Sequence, residues 1–158
     1  MKFKSIGNSK NINDYYNHYI TVADAKAGVI LTIAFVLLDY SFGLDLEKIT
    51  NKWAIYIPIV FLIGALVAAL LTVFPRTPKN NAKGYIFWEE VREHNNKDEY
   101  AESFSQLDDN EIEKQFAYQN YLVSNVIHSK HCLVAWSIGL SILAVASIVI
   151  IKLAILNA

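Results

Sequence analysis

Residues 53–75 read WAIYIPIVFLIGALVAALLTVFP, 23 positions with no charged side chain between Lys52 and Arg76. A helix that crosses a bilayer needs about 20 mainly apolar residues, because a rise of about 1.5 Å per residue must cover about 30 Å of hydrocarbon. The run is long enough, and Pro75 and Pro78 bound it sharply on one side. Pro58 sits near the other end, where a spanning helix tolerates it. Trp53 and Tyr56 fall where an aromatic belt is expected at the membrane surface.

Two further stretches read the same way. Ala27–Leu44 is broken only by Asp39, and Cys132–Ile151 places 20 residues between His131 and Lys152. A soluble bundle can bury one such helix, but three of them in 158 residues, with 54% hydrophobic residues and a mean hydropathy of +0.27, point to a membrane. The expected fold is all-α: a three-pass transmembrane protein with long helices extending into a cytoplasmic bundle.

Charge gives the spans a direction. Lys2, Lys4, Lys10 and Lys26 precede the first run, and Arg76, Lys79, Lys83, Arg92, Lys97, Lys114 and Lys130 lie between the second and third. The first connection carries only Lys48 and Lys52, and the tail only Lys152. The positive-inside rule therefore puts the N-terminus and the long middle segment in the cytoplasm, and the Asp45–Lys52 loop and Asn157–Ala158 outside. Met1–Lys4 is followed by the polar stretch Asn8–Asn17 rather than an apolar core, so no cleavable signal is expected. Cys132 is the single cysteine, which excludes an internal disulfide.

Helical periodicity extends two of the spans beyond the membrane. Ile12, Tyr15, Tyr16, Tyr19, Ile20, Ala23 and Ala27 recur at helical spacing, with Asn11 as a candidate cap. Later, Asp108 and Glu111 have the spacing of a capping box. Beyond them Ile112, Phe116, Gln119, Val123, Val126 and Lys130 hold one face for more than five turns, a helix that should reach about 34 Å below the membrane. Gly84–Asn95, with Tyr85, Phe87 and Trp88, reads as a short helix or turn packed against its neighbours. The expected division is a cytoplasmic helix over 1–26, two spans over 27–75, a cytoplasmic helical segment over 76–131, and a third span with a short outer tail over 132–158.

Several side chains are candidates for function. Gly28, Thr32 and Asp39 share one face of the first span, where a ring of Asp in an oligomer would favour cations. Asp39 lies only five residues from Leu44, so the competing reading is a carboxylate that reaches the outer interface. Asp24 and Lys26 stand at the inner mouth, with Lys130 at matching depth on the third span. A pairing of Asp24 with Lys130 or Lys26 would hold the bundle closed, and plain interfacial anchoring is the alternative. Arg76, Lys79 and Lys83 precede Tyr85 and Trp88, an interleaving that suits phosphate contact and base stacking. The same charges are also what anionic lipid attracts.

Small residues at four-residue spacing (Gly64 with Ala68, Ala135 with Gly139, Ser137 with Ser141) permit close helix packing within a protomer or between copies. His128, His131 and Cys132 are too few for a metal site without further ligands. With no Gly-rich phosphate loop, nucleophile elbow or zinc-protease motif, neither an enzyme nor a cofactor is expected. A metal-dependent membrane enzyme built on those three residues is the third reading, behind a channel and an anchor.

The segment Tyr19-Ile-Thr-Val-Ala-Asp-Ala-Lys-Ala-Gly28 before an apolar span resembles the A-D-x-K-A motif of the Pycsar-effector transmembrane domain. Phe74-Pro75-Arg76 is similar to that family's second landmark. Tyr85–Trp88, Tyr100, Gln119 and Lys130-His131 follow in the family's order, so the resemblance covers nearly the whole chain. It implies a bacterial antiphage effector: a nucleotide cyclase or nucleotidyltransferase encoded nearby makes a signal, and an oligomeric inner-membrane protein responds by perforating or depolarising the membrane. Asp24, Lys26, Arg76 and Lys130 fall on motif positions.

Many such effectors carry a separate cyclic-nucleotide sensor domain, for which this chain has no room. Sensing would fall to its cytoplasmic helices or to a partner. The chain also resembles the stand-alone effectors of two-gene systems such as Hailong, where the nucleotide product holds the channel shut. The expected partners are therefore further copies of itself, with a tetramer as the working count, a nucleotide second messenger or short oligonucleotide, and membrane lipid. The alternative function is a non-conducting membrane anchor or assembly subunit that recruits a cytoplasmic partner.

Overall fold

A computed structural model describes residues 3–44, 52–75 and 84–157, with side chains from residue 7 onward in the first stretch. Its elements are α1 (Phe3–Phe42), a 3-10 turn (Lys52–Ile55), α2 (Tyr56–Val73), α3 (Trp88–Arg92), α4 (Lys97–Ser105) and α5 (Asp109–Leu156). No strand occurs among the described residues. The fold is all-α, and three of its helices are long and apolar enough to cross a membrane. At 40 and 48 residues, α1 and α5 are about 60 Å and 72 Å long, at least twice the thickness of a hydrocarbon layer.

The chain divides into two compact units, one formed by Met1–Thr21 with Arg76–His128 and the other by Val22–Pro75 with Ser129–Ala158. Both long helices contribute to each. In the unit that holds the apolar runs, the core is built from small residues in layers. Ala23, Ala27, Ile30, Ala69 and Val134 form one cluster, and Ala34, Leu62, Leu66, Ala144 and Ile148 the next. Leu44, Ile55 and Ile151 close the series. The large apolar side chains point the other way: Phe35, Val36, Val60, Trp136 and Ile150 are each more than 60% exposed. A surface that apolar is stable against lipid or another protein, not against water.

Close packing has a visible cause at Gly64, where an added Cβ would meet Leu140 Cδ1 of α5 at 3.1 Å. Gly139, by contrast, has open space at the Cβ position. The buried hydroxyls are satisfied within their own helices: Ser41 donates to the Leu37 carbonyl, Thr72 to Ala68 and Ser137 to Val134. Pro58 lies in the first turn of α2, where a missing N–H costs no hydrogen bond.

The other unit is held by polar contacts between helices. Asn13 Nδ2 on α1 donates to Asn120 Oδ1 on α5 at 3.1 Å, and Asn120 Nδ2 donates to the Ser9 carbonyl. Asn17 Nδ2 donates to Asn13 Oδ1. Helix α1 begins at Phe3, eight residues before the Asn11 cap expected from sequence, so Asn11 lies inside the helix.

The capping box at α5 forms as expected, Glu111 N–H donating to Asp108 Oδ1 and Asp108 N–H to Glu111 Oε2. Helix α4 was not expected from periodicity. Its N-cap is Asn96, whose side chain accepts from the N–H groups of Asp98 and Glu99.

Candidate functional site: a buried lysine where three helices meet, and a cavity beside α5

Lys130 lies on α5 with only 4% of its surface exposed, amid apolar helices. Its ammonium donates to Asp24 Oδ1 on α1 at 2.5 Å and to the Thr72 carbonyl on α2 at 2.6 Å. Thr72 is the penultimate residue of α2, so its carbonyl is one of the four that a helix end leaves without an internal partner. The negative end of the α2 dipole and a carboxylate thus converge on one cation. A single side chain ties all three long apolar helices together.

The arrangement is asymmetric. The Asp24 side chain keeps 34% of its surface exposed, whereas the Lys130 side chain keeps 5%. Removing the carboxylate would strand a buried cation; removing the lysine would leave a carboxylate that water can still reach. Of the two pairings open to Asp24 on sequence grounds, the structure forms the one with Lys130. Lys26 is exposed.

The other candidates fall in different surroundings. Gly28, Thr32 and Asp39 are all exposed, away from the small-residue core, and Thr32 Oγ1 donates back to the Gly28 carbonyl. Asp39 stands three residues before the end of α1, and nearby Lys152 lies over the Tyr40 ring at 5.8 Å. Trp53 and Tyr56 pack on each other with ring centroids 5.6 Å apart, both exposed. Arg76, Lys79 and Lys83 lie outside the described residues. His128 and Cys132 are exposed and His131 is half-buried; among the described residues no three His, Cys, Asp or Glu side chains converge as metal ligands.

Tyr85 and Trp88, paired in the sequence reading, separate in the structure. Trp88 is exposed. Tyr85 is half-buried: its N–H donates to Gln115 Oε1 at 2.9 Å and its carbonyl accepts from the Tyr100 hydroxyl. Its ring packs against His94, Tyr100 and Phe104 at centroid distances of 5.1–6.2 Å. The approach to this cluster is tight at Gly84, where any Cβ would collide with the Glu90 side chain. The Gly84 carbonyl accepts from His94 Nε2. Beside the cluster, α5, the 84–87 segment and Glu90 of α3 line a half-open cavity of about 470 Å³ whose walls include Tyr85, Phe87, Lys114, Tyr118, Gln119 and Leu122.

Thr72, Gln115 and the Asn13–Asn120 pair carried no signal as a site in the sequence. Thr72 acts through its backbone, and the others are joined across 30 residues or more.

Three apolar helices long enough to span a bilayer, a small-residue core under a greasy exterior and a buried lysine paired across helices define a helical membrane protein. The chain belongs to the Pycsar effector protein domain family, which matches residues 8–157. It is 30% identical over 122 residues to the Pycsar effector protein SaPycTM of Staphylococcus aureus, an alignment covering 76% of this chain and 77% of that one. No solved structure matches it. Membership makes the chain a membrane effector of antiphage defence.

Proposed function

We propose that this effector is a homo-oligomeric channel of the bacterial inner membrane, switched by a nucleotide signal, whose opening depolarises the cell and aborts infection. The observation that carries the reading is the Lys130 node. One buried ammonium ties α1, α2 and α5, so a change at that one side chain alters the junction of all three helices at once. Ionisable groups among membrane helices are costly, and they persist where function needs them. Gly28, Thr32 and Asp39 lie on the protomer's outer surface, so in this reading the pore forms between copies. The N-terminus and the 76–131 segment face the cytoplasm, where the signal is made.

A ligand shifts such an equilibrium only by its difference in affinity for the two states. Whether it opens or closes the pore depends on which state it prefers.

The test is a membrane-potential dye in cells that express the chain with and without an active nucleotide cyclase. The reading expects depolarisation that depends on the cyclase. It also expects Asp39→Asn to alter cation selectivity while leaving stability within about 0.5 kcal/mol.

A second reading draws on the exposed rings of Trp88, Tyr118 and Tyr121, a surface suited to a protein partner. In that case the chain is a non-conducting anchor, and overexpression leaves the membrane potential intact.

A further inference from the structure

The cavity beside α5 has a chemistry of its own. Its walls are largely aromatic and aliphatic, with Tyr85, Phe87, Tyr118 and Leu122 among them. At about 470 Å³ it falls within the range of pockets that hold small molecules. Gln119, part of the lining, carries a buried amide oxygen with no hydrogen-bond partner among the described residues. An unmade buried hydrogen bond is expensive, and the terminal torsion of a glutamine is soft, so this amide turns readily toward a donor in the cavity.

Among the described residues that line the cavity, Glu90 and Glu111 carry carboxylates and Lys114 a cation. Lys114 is exposed, with its ammonium 5.6 Å from the Tyr118 ring centroid.

We infer that this cavity is a nucleobase site: a flat ring enters between the aromatic walls, presents an N–H edge to Gln119 Oε1, and leaves its phosphate outside at Lys114. The amide decides the direction: an N–H edge finds an acceptor inside at Gln119 Oε1, whereas a phosphate finds its cation at exposed Lys114. The inference rests on the nucleotide-switched reading above and names the site at which that signal is read. It also places recognition mainly on the base, with Lys114 separating a nucleotide from its nucleoside.

The test uses the full chain in lipid nanodiscs, with calorimetric binding of the 3′,5′-cyclic monophosphates of cytidine, uridine and adenosine, of the matching nucleosides, and of inorganic phosphate. Melting is followed for every variant. Gln119→Leu is expected to weaken cyclic-nucleotide binding roughly tenfold to a hundredfold without lowering the melting temperature, since it removes an unsatisfied polar atom. Gln119→Glu keeps an acceptor and retains binding, and Leu122→Trp fills the cavity and abolishes it. Lys114→Met lowers the affinity for nucleotides but not for nucleosides.

Nucleotide binding that survives both Gln119→Leu and Leu122→Trp overturns the site while leaving nucleotide switching intact. Tight binding of inorganic phosphate alone, or no mononucleotide binding at all, overturns it as well. Binding that follows these variants while ion flux never responds upholds the site and defeats the switching.

Discussion

The two units handle buried polar groups in opposite ways. Where the apolar runs pack together, hydroxyls bond to carbonyls of their own helix, and the helices touch through alanine and glycine. The Lys130 ammonium is a polar link that joins all three of them. In the other unit, the links between elements are shared among many neutral groups: the Asn13–Asn120 ladder, the Gln115 bond to Tyr85, and the Tyr100 and His94 bonds to the 84–85 backbone. The difference bears on function. A unit whose helices converge on one strong ionic contact can change state when that contact changes, whereas a distributed network yields gradually.

Asp24→Ala should break this contrast most severely. It leaves the Lys130 ammonium buried with only the Thr72 carbonyl, a change that costs about 3–5 kcal/mol. Melting in nanodiscs should fall steeply, and part of the loss should return when Asp24→Ala is combined with Lys130→Met, which removes the stranded charge. Lys130→Met should cost less, because Asp24 is reachable by water.

Next in size is Asn120→Leu, which strands the Asn13 amide and the Ser9 carbonyl and should cost about 1–3 kcal/mol. The double variant Asn13→Leu/Asn120→Leu should cost less than the sum of its parts, a coupling that a double-mutant cycle reads directly. Gly64→Ala should cost about 1 kcal/mol, since Leu140 must move by a few tenths of an ångström, and Leu140→Ala should remove that crowding.

Asn96→Ala should have the smallest effect. Loss of its cap costs about 1 kcal/mol and should raise amide exchange in α4 while leaving the spanning helices unchanged.

The spans were legible because hydropathy is a local property: 53–75 and 132–151 announce themselves within their own length. The capping box at Asp108 and Glu111 was equally local. Helix α4 is only nine residues long, and its signals are brief: Tyr100 and Phe104 at four-residue spacing, and Asn96 followed by Glu99 as a cap pattern.

The Lys130 node was half visible. Its two side chains could be placed at one depth, but its third member is a backbone carbonyl at the end of α2, which no residue type marks. The cavity was fainter still. Tyr85 stood out as an aromatic after basic residues, yet what defines the site is its meeting with Gln115, Gln119 and Lys114 some 30 residues later. That meeting depends on how the 84–87 segment folds back on α5, a tertiary event that periodicity cannot report.

The central claim is tested most directly by ion flux across liposomes that contain the purified chain as cyclic nucleotides are titrated in. The account predicts a flux that changes with nucleotide in the wild type and that becomes insensitive to nucleotide in Asp24→Ala. A chain that inserts fully yet conducts nothing, with or without nucleotide and with or without the Asp24–Lys130 pair, would contradict it.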